Sequence, residues 1–381
     1  MKVFVVAGEP SGDRLGASVM KALSALESVS YTGVGGPLME RQGLTSRFPM
    51  DELSIMGIAE VLPKYRHLKR RIAETANAIL DSRPDAVLTI DSPDFCFRVA
   101  ALVKEKCPSQ HITHYVAPSV WAWRPGRAAK LARLADQVLC LLPFESSYFA
   151  AYGLRADFVG HPVVSEAQPD KAEVSDFRSR HGLNTAPTLL ILPGSRKSEV
   201  SRLLPIFGDS VSRLSHEQPD LQIVTVAAGG VKEAVTSAAR SWPGKPIVID
   251  ASDEAEKRSA FAAGDIALAA SGTVSLELAA AATPMVIAYD MHWITWQVMS
   301  RMATTDTATL VNLVSGTRHI PEFLGPRCRP DPISQALASL LGDPSLRSLQ
   351  VNAMERTMIA LGKGGAAPGE RAARALLDSL D

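Results

Sequence analysis

Short runs of Val, Ile, Leu and Ala recur along the chain, each closed by a Gly, Ser, Pro or Asp turn and followed by a stretch of helical composition. Lys2–Ala7 leads into Gly8-Glu9-Pro10-Ser11-Gly12-Asp13 and a Leu/Ala-rich helix to about Leu26. Ala86–Ile90 leads into Asp91-Ser92-Pro93-Asp94, 111–116 into Ala117-Pro118-Ser119, and 137–142 into Pro143-Phe144-Glu145. After a polar, acidic stretch at 165–176 the pattern restarts, with strand-like runs at Thr188–Leu192, 222–226, 247–249, 265–269 and 285–288. Strands that alternate with helices predict an α/β fold with parallel sheets. The restart predicts two doubly wound, Rossmann-like domains facing across a cleft, here taken as 1–164 and 187–350. Residues 165–186 are read as a linker region, and 351–381 as C-terminal helices. In open parallel sheets ligands bind at the carboxyl ends of strands, so the turns become the candidate sites.

Composition narrows the partners. Lys plus Arg and Asp plus Glu both number 40, which argues against attraction of nucleic acid to the whole surface. The four cysteines have no CxxC or zinc-type spacing, as expected of a reducing cytosol. The apolar start is too short for a signal peptide and reads as a buried strand. No uninterrupted apolar run reaches 18 residues, so no membrane span is expected.

In the second half, Pro193-Gly194-Ser195-Arg196-Lys197-Ser198-Glu199 follows a strand and opens a helix. Gly194 permits close backbone approach, and Arg196 can grip a phosphate through two donors, so an anion site competes with an ordinary turn. Ser271-Gly272-Thr273 opens another helix, with Glu277 one turn further along. That offset suits a carboxylate on the ribose hydroxyls while the loop holds phosphates; the rival reading is a Thr273 cap and a surface Glu277. There is no GxGxxG after the first strand, no GxxxxGK[ST], no HExxH, no GxSxG and no DxD pair. A diphosphate site without metal or cofactor is what remains.

In the first half, Asp91 or Asp94 can serve as a general base, with Asp94 preferred because Asp91 directly ends its strand. Ser119, Trp121, Trp123 and Arg124 offer aromatic walls and a cation for sugar or acyl chains, although both tryptophans suit a core equally well. Glu9, Ser11 and Gly12 form another polar loop on the same side, and His161 is either near the cleft or simply packed. Residues 53–62 contain Ile55, Met56, Ile58, Val61 and Leu62, and cations including Arg66, Lys69 and Arg70 follow. Apolar surface beside such a cluster suits an anionic membrane; the alternative is a core segment with a solvated helix face.

The segments AGEPSGD (7–13), MGIAEVLP (56–63), IDSPDF (90–95), HYVAPSVWAWRPGR (114–127), LPFE (142–145), VGHP (159–162), LPGSRKSEV (192–200) and ASGTVSLE (270–277) together resemble the lipid-A-disaccharide synthase family, in the same order and over most of the chain. The resemblance implies a GT-B fold and an inverting, metal-independent glycosyltransferase. Such enzymes move 2,3-diacylglucosamine from its UDP derivative to 2,3-diacylglucosamine 1-phosphate, giving a β-1,6-linked disaccharide and UDP at the cytoplasmic face of the Gram-negative inner membrane. It assigns Asp94 as base and Arg196 as stabiliser of the leaving UDP. Gly194, Ser195, Glu199, Ser271, Gly272, Thr273, Glu277 and Asn312 are placed around the nucleotide. The sequence departs from the family's pattern at Val311, where proline is usual, and at Asp290, where a basic residue is expected. GT-B chains commonly return their last helix to the first domain. Some relatives pair as homodimers by exchanging C-terminal parts. The alternatives to be weighed are another GT-B enzyme acting on unacylated UDP-GlcNAc and a binding protein without turnover.

Overall fold

A computed structural model describes residues 1–53, 58–123 and 125–380, with only the backbone described at 58–65. The chain divides into two compact units, Met1–Ser165 together with Gly364–Asp381, and Glu166–Lys363.

The first unit is a six-stranded parallel sheet: β1 (Lys2–Ala7), β2 (Ser30–Val34), β3 (Ala86–Ile90), β4 (Ile112–Tyr115), β5 (Gln137–Cys140) and β6 (Arg155–Phe158), in the order β2-β1-β3-β4-β5-β6. β1 shows why its run is apolar throughout. Phe4 and Val6 pack on one face of the sheet, and Val3, Val5 and Ala7 on the other, all of them inaccessible to water. A strand covered on both faces has no polar side to display, and burying each of its Phe and Val side chains contributes about 1.5–3 kcal/mol.

The second unit repeats the plan with β7 (Thr188–Leu192), β8 (Gln222–Ala227), β9 (Ile247–Asp250), β10 (Ile266–Ala270), β11 (Met285–Tyr289) and β12 (Glu322–Leu324), ordered β12-β11-β10-β7-β8-β9. In each sheet the chain builds outward on one side and then crosses to the other. The crossing falls between β1 and β3 in the first unit and between β7 and β10 in the second. A parallel sheet opens a crevice at such a point, because the loops leaving the two strands diverge.

Helix Pro368–Leu377 packs against helix Pro10–Leu26 and buries Ala372, Ala373 and Leu376 in the first unit's core. Polar bonds fasten it: Arg371 Nη2 donates to the Phe158 carbonyl at 2.7 Å, and Gln137 Nε2 to that of Ala375 at 2.8 Å.

Two boundaries differ from the sequence reading. Residues 165–186 include helix Lys171–Arg180, opened by a capping box between Asp170 and Glu173. It packs on helix Glu254–Ala263 through fully buried Phe177, and Arg180 and His181 bond to Glu256, so the stretch belongs to the second unit. Helix Pro344–Ala360 also belongs there, its Gln350 accepting the Met285 N–H at 2.7 Å, so the second unit ends at 363 rather than 350.

Candidate active site

At the crossing point of the second unit lies a cavity of ≈ 450 Å³, within the size range of small-ligand sites. The loop after β7 supplies Gly194, Ser195 and Arg196, and the loop after β10 supplies Ser271, Gly272 and Thr273; Glu277, Lys257 and Phe261 complete one wall. Gly194 sits at φ +102°, and a Cβ there would fall 2.1 Å from Glu199 Oε2. The Glu199 carboxylate lies folded under this loop and accepts the Ser195 N–H at 3.1 Å, so Glu199 braces the loop. Arg196 is exposed and forms no ion pair among the described residues. It immediately precedes the 21-residue helix Lys197–Glu217, whose start is capped by no side chain, leaving backbone N–H groups open to an anion.

Across the cavity Thr273 is exposed and makes no side-chain cap bond, which removes the simple capping role. Glu277 is not loose surface charge: Lys257 Nζ lies 2.6 Å from its Oε2. Asn312, expected beside the nucleotide, is 1% exposed and absent from the cavity wall. Its Oδ1 accepts the Ile320 N–H at 3.1 Å, and its Nδ2 donates to the Ile320 carbonyl at 2.9 Å. Both ends of the amide are spent on the chain's own backbone, so its role here is to fasten that loop. Asp290 faces Arg202 at 3.8 Å.

The crossing point of the first unit brings together Gly8 and Glu9 after β1 with Asp91 and Ser92 after β3. A Cβ on Gly8 would lie 2.6 Å from Ser92 Oγ, so glycine lets the two loops touch. Asp91 and Ser92 both have left-handed backbones, φ +52° and +44°, and Val116 at the end of β4 has φ +78°. Such conformations cost about 1–3 kcal/mol each outside glycine and concentrate at functional sites. Burial raises the Asp91 carboxyl above the ordinary aspartate value. Ser92 Oγ is buried with no partner among the described residues. Asp94, the expected base, stands one turn away in quite different surroundings: its side chain is 91% exposed and 3.7 Å from Arg127 Nη2.

Other acceptor-side expectations separate. Glu9 is half-buried at the start of helix Pro10–Leu26 and forms no side-chain cap bond, and Ser11 and Ser119 are exposed. Gly12 is buried, and a Cβ there would lie 3.3 Å from that of Ala7, so it serves the packing of helix on sheet. Trp121 is 8% exposed, donates Nε1–H to Glu145 Oε1 at 3.0 Å and meets Phe144 edge-on, which makes it core rather than wall. Glu145 also accepts the Leu141 and Leu142 N–H groups, and burial pushes its carboxyl up to about 7. His161 accepts the Val163 N–H through Nδ1, and burial lowers its pKa to about 4, so it is a neutral, packed histidine. The sequence reading missed Asp13 of the AGEPSGD segment. Its buried carboxylate takes the N–H groups of Gly36, Leu38 and Met39 at 2.9–3.1 Å and so ties helix Pro10–Leu26 to the turn after β2.

Ile55, Met56 and Arg124 lie outside the described residues, as do the side chains of Ile58, Val61 and Leu62 in helix Ile58–Ser82. Further along that helix Arg66, Lys69 and Arg70 are exposed, whereas Arg71 turns inward to Glu52 and Glu74 at 2.7 Å each. Among the described residues no group of three His, Cys, Asp or Glu side chains could hold a metal ion, and no helix is long and apolar enough to cross a membrane.

Two parallel six-stranded units, each with polar loops at its crossing point, make this a GT-B protein, the architecture of nucleotide-sugar transferases and epimerases. It is similar along its length to UDP-GlcNAc 2-epimerase from Neisseria meningitidis bound to UDP-GlcNAc, with a TM-score of 0.70 at 13% identity, covering 99% of this chain and 100% of that one. A glycosyltransferase from Rickettsia africae gives 0.63 at 11% identity, covering 100% and 98%. Sequence narrows the class. The model of the lipid-A-disaccharide synthetase family matches residues 3–374. The lipid-A-disaccharide synthase of Ruegeria pomeroyi is 55% identical over 387 residues, covering 100% of this chain and 96% of the relative. That of Rhodospirillum centenum is 46% identical over 381 residues, covering 99% and 94%. The chain belongs to the lipid-A-disaccharide synthase family.

Proposed function

We propose that the chain transfers 2,3-diacylglucosamine from its UDP derivative to 2,3-diacylglucosamine 1-phosphate, without a metal ion, through the loops at the crossing point of each unit. The observation that carries this is the placement of both motif sets at the two points where parallel sheets open for ligands. In the reaction a base takes the proton from the acceptor's 6-hydroxyl. The oxygen attacks the donor's anomeric carbon with inversion, and the bond to the diphosphate breaks, releasing UDP. Arg196 and the open amides at the start of helix Lys197–Glu217 receive the charge that develops on the leaving group, a task for preorganised donors. Ser271, Gly272 and Thr273 form the opposite lip of the cavity, and Glu277 takes the ribose.

The surroundings favour Asp91 over Asp94 as the base. A carboxyl raised by burial is better matched to accepting a proton near neutral pH, whereas Asp94 is solvated and faces a guanidinium. Exposed Arg66, Lys69 and Arg70 support contact with an anionic membrane surface, where acylated substrates reside.

The test is UDP release from UDP-2,3-diacylglucosamine, with and without the monosaccharide 1-phosphate, in detergent containing EDTA. Acceptor-dependent release with a new disaccharide mass is expected. Release that requires an added divalent cation would remove the metal-free mechanism, and turnover of unacylated UDP-GlcNAc alone would reassign the substrate.

A further inference from the structure

Helix Glu254–Ala263 places in the nucleotide cavity a side chain that no sequence motif marks. Lys257 reaches Glu277, Nζ to Oε2 2.6 Å, and its ammonium lies 5.6 Å from the Phe261 ring centroid. The two side chains are only 20% and 30% exposed, so water and salt screen the pair less than one on the open surface. Among the described residues, four ionisable side chains line the cavity: Arg196, Lys257, Glu199 and Glu277. Their formal charges cancel. Without Lys257, two carboxylates would oppose one guanidinium in a space that must receive a diphosphate. A carboxylate offers about four acceptor positions. Lys257 occupies one of them on Oε2 and leaves Oε1 and the rest of Oε2 for hydroxyl donors, while the Phe261 ring backs the ammonium and limits where the pair can swing.

Resting on the reading of this cavity as a nucleoside-diphosphate site, we propose that Lys257 is a positioning residue that neutralises Glu277 and aims its carboxylate at the ribose hydroxyls of the donor. It acts through Glu277 and makes no bond to the diphosphate. Its loss therefore removes discrimination at the ribose as well as affinity.

The experiment measures Kd for UDP and for 2′-deoxy-UDP by titration calorimetry on the full chain: wild type, Lys257→Gln, Lys257→Arg, Glu277→Gln and the Lys257→Gln/Glu277→Gln double variant. Thermal melts establish that each variant is folded. Wild type is expected to prefer UDP. Lys257→Gln should weaken UDP by about tenfold, equivalent to about 1.4 kcal/mol, and compress that preference. Lys257→Arg should restore most of both, and the double variant should match Glu277→Gln alone. Unchanged affinities in folded Lys257→Gln would overturn the proposal. A Lys257→Gln loss of equal size in the Glu277→Gln background would overturn it too, by placing the lysine directly on the phosphates. If Glu277→Gln keeps full ribose preference while UDP still binds, the ribose role of Glu277 falls and the positioning role with it. Wild type that binds no UDP would instead refute the nucleotide reading itself.

Discussion

Asp91 and Asp94 are three positions apart and chemically identical, yet the fold gives them opposite environments. Asp91 ends a buried strand in a left-handed conformation, with its carboxyl raised by desolvation; Asp94 projects from the first turn of helix Pro93–Lys106 into solvent. Asp91→Asn is accordingly expected to lower kcat by about 100-fold or more, and Asp94→Asn by less than about tenfold. The reverse ranking would return the proton transfer to Asp94. The base must be ionised to act, so kcat/KM should fall on acidification through a pKa above the ordinary aspartate value, and that limb should disappear from the residual activity of Asp91→Asn. The motif IDSPDF located the pair, and its position in the sequence favoured Asp94; the surroundings reverse that order. Burial and backbone strain depend on Gly8 and Ser92 meeting across two strands far apart in sequence. Asn312 shows the same limit from the other side. Its neighbours in sequence suggested a ligand, and its neighbours in space, the Ile320 N–H and carbonyl with the Thr307 hydroxyl, engage both ends of its amide.

At the scale of elements, the central strands were the most legible part, because strands covered on both faces are largely apolar; the edge strands β2, β6 and β12, only partly buried, gave no such run and were not read. Helix Lys171–Arg180 was the least legible. It is polar almost throughout, and Phe177 alone of its residues is fully buried, so composition marks it as a linker although capping and one aromatic anchor make it a packed helix. Helix Pro368–Leu377 meets helix Pro10–Leu26 so closely that a Cβ on Gly369 would lie 2.1 Å from Ser18 Oγ and 3.0 Å from the Ser18 carbonyl carbon. Backbone cannot move aside as a flexible side chain can. Gly369→Val should therefore destabilise the first unit by about 1–3 kcal/mol, read as a lower urea midpoint. An unchanged midpoint would mean that this helix is not tightly docked.

At the scale of the molecule, the core clusters of the two units are separate. The core of Leu189, Ile191, Phe207 and Leu268 lies wholly within the second unit, and that of Val3, Val5, Leu88 and Leu376 wholly within the first. A ligand stabilises what it binds, by about 2.7 kcal/mol at one hundred times its Kd. UDP alone should thus slow hydrogen exchange in 166–363 and leave the sheet of the first unit unchanged. Protection gained chiefly in residues 1–165 would contradict the assignment of the cavity.

The return of helix Pro368–Leu377 to the first unit also sets an order of assembly. In synthesis, residues 166–363 form one uninterrupted stretch whose sequence is complete before Gly364 is added. The first 165 residues have all six of their strands long before that. The core they share with Leu15 and Val19 is nevertheless complete in sequence only when Ala372, Ala373 and Leu376 have been added. The half that is translated first is completed last.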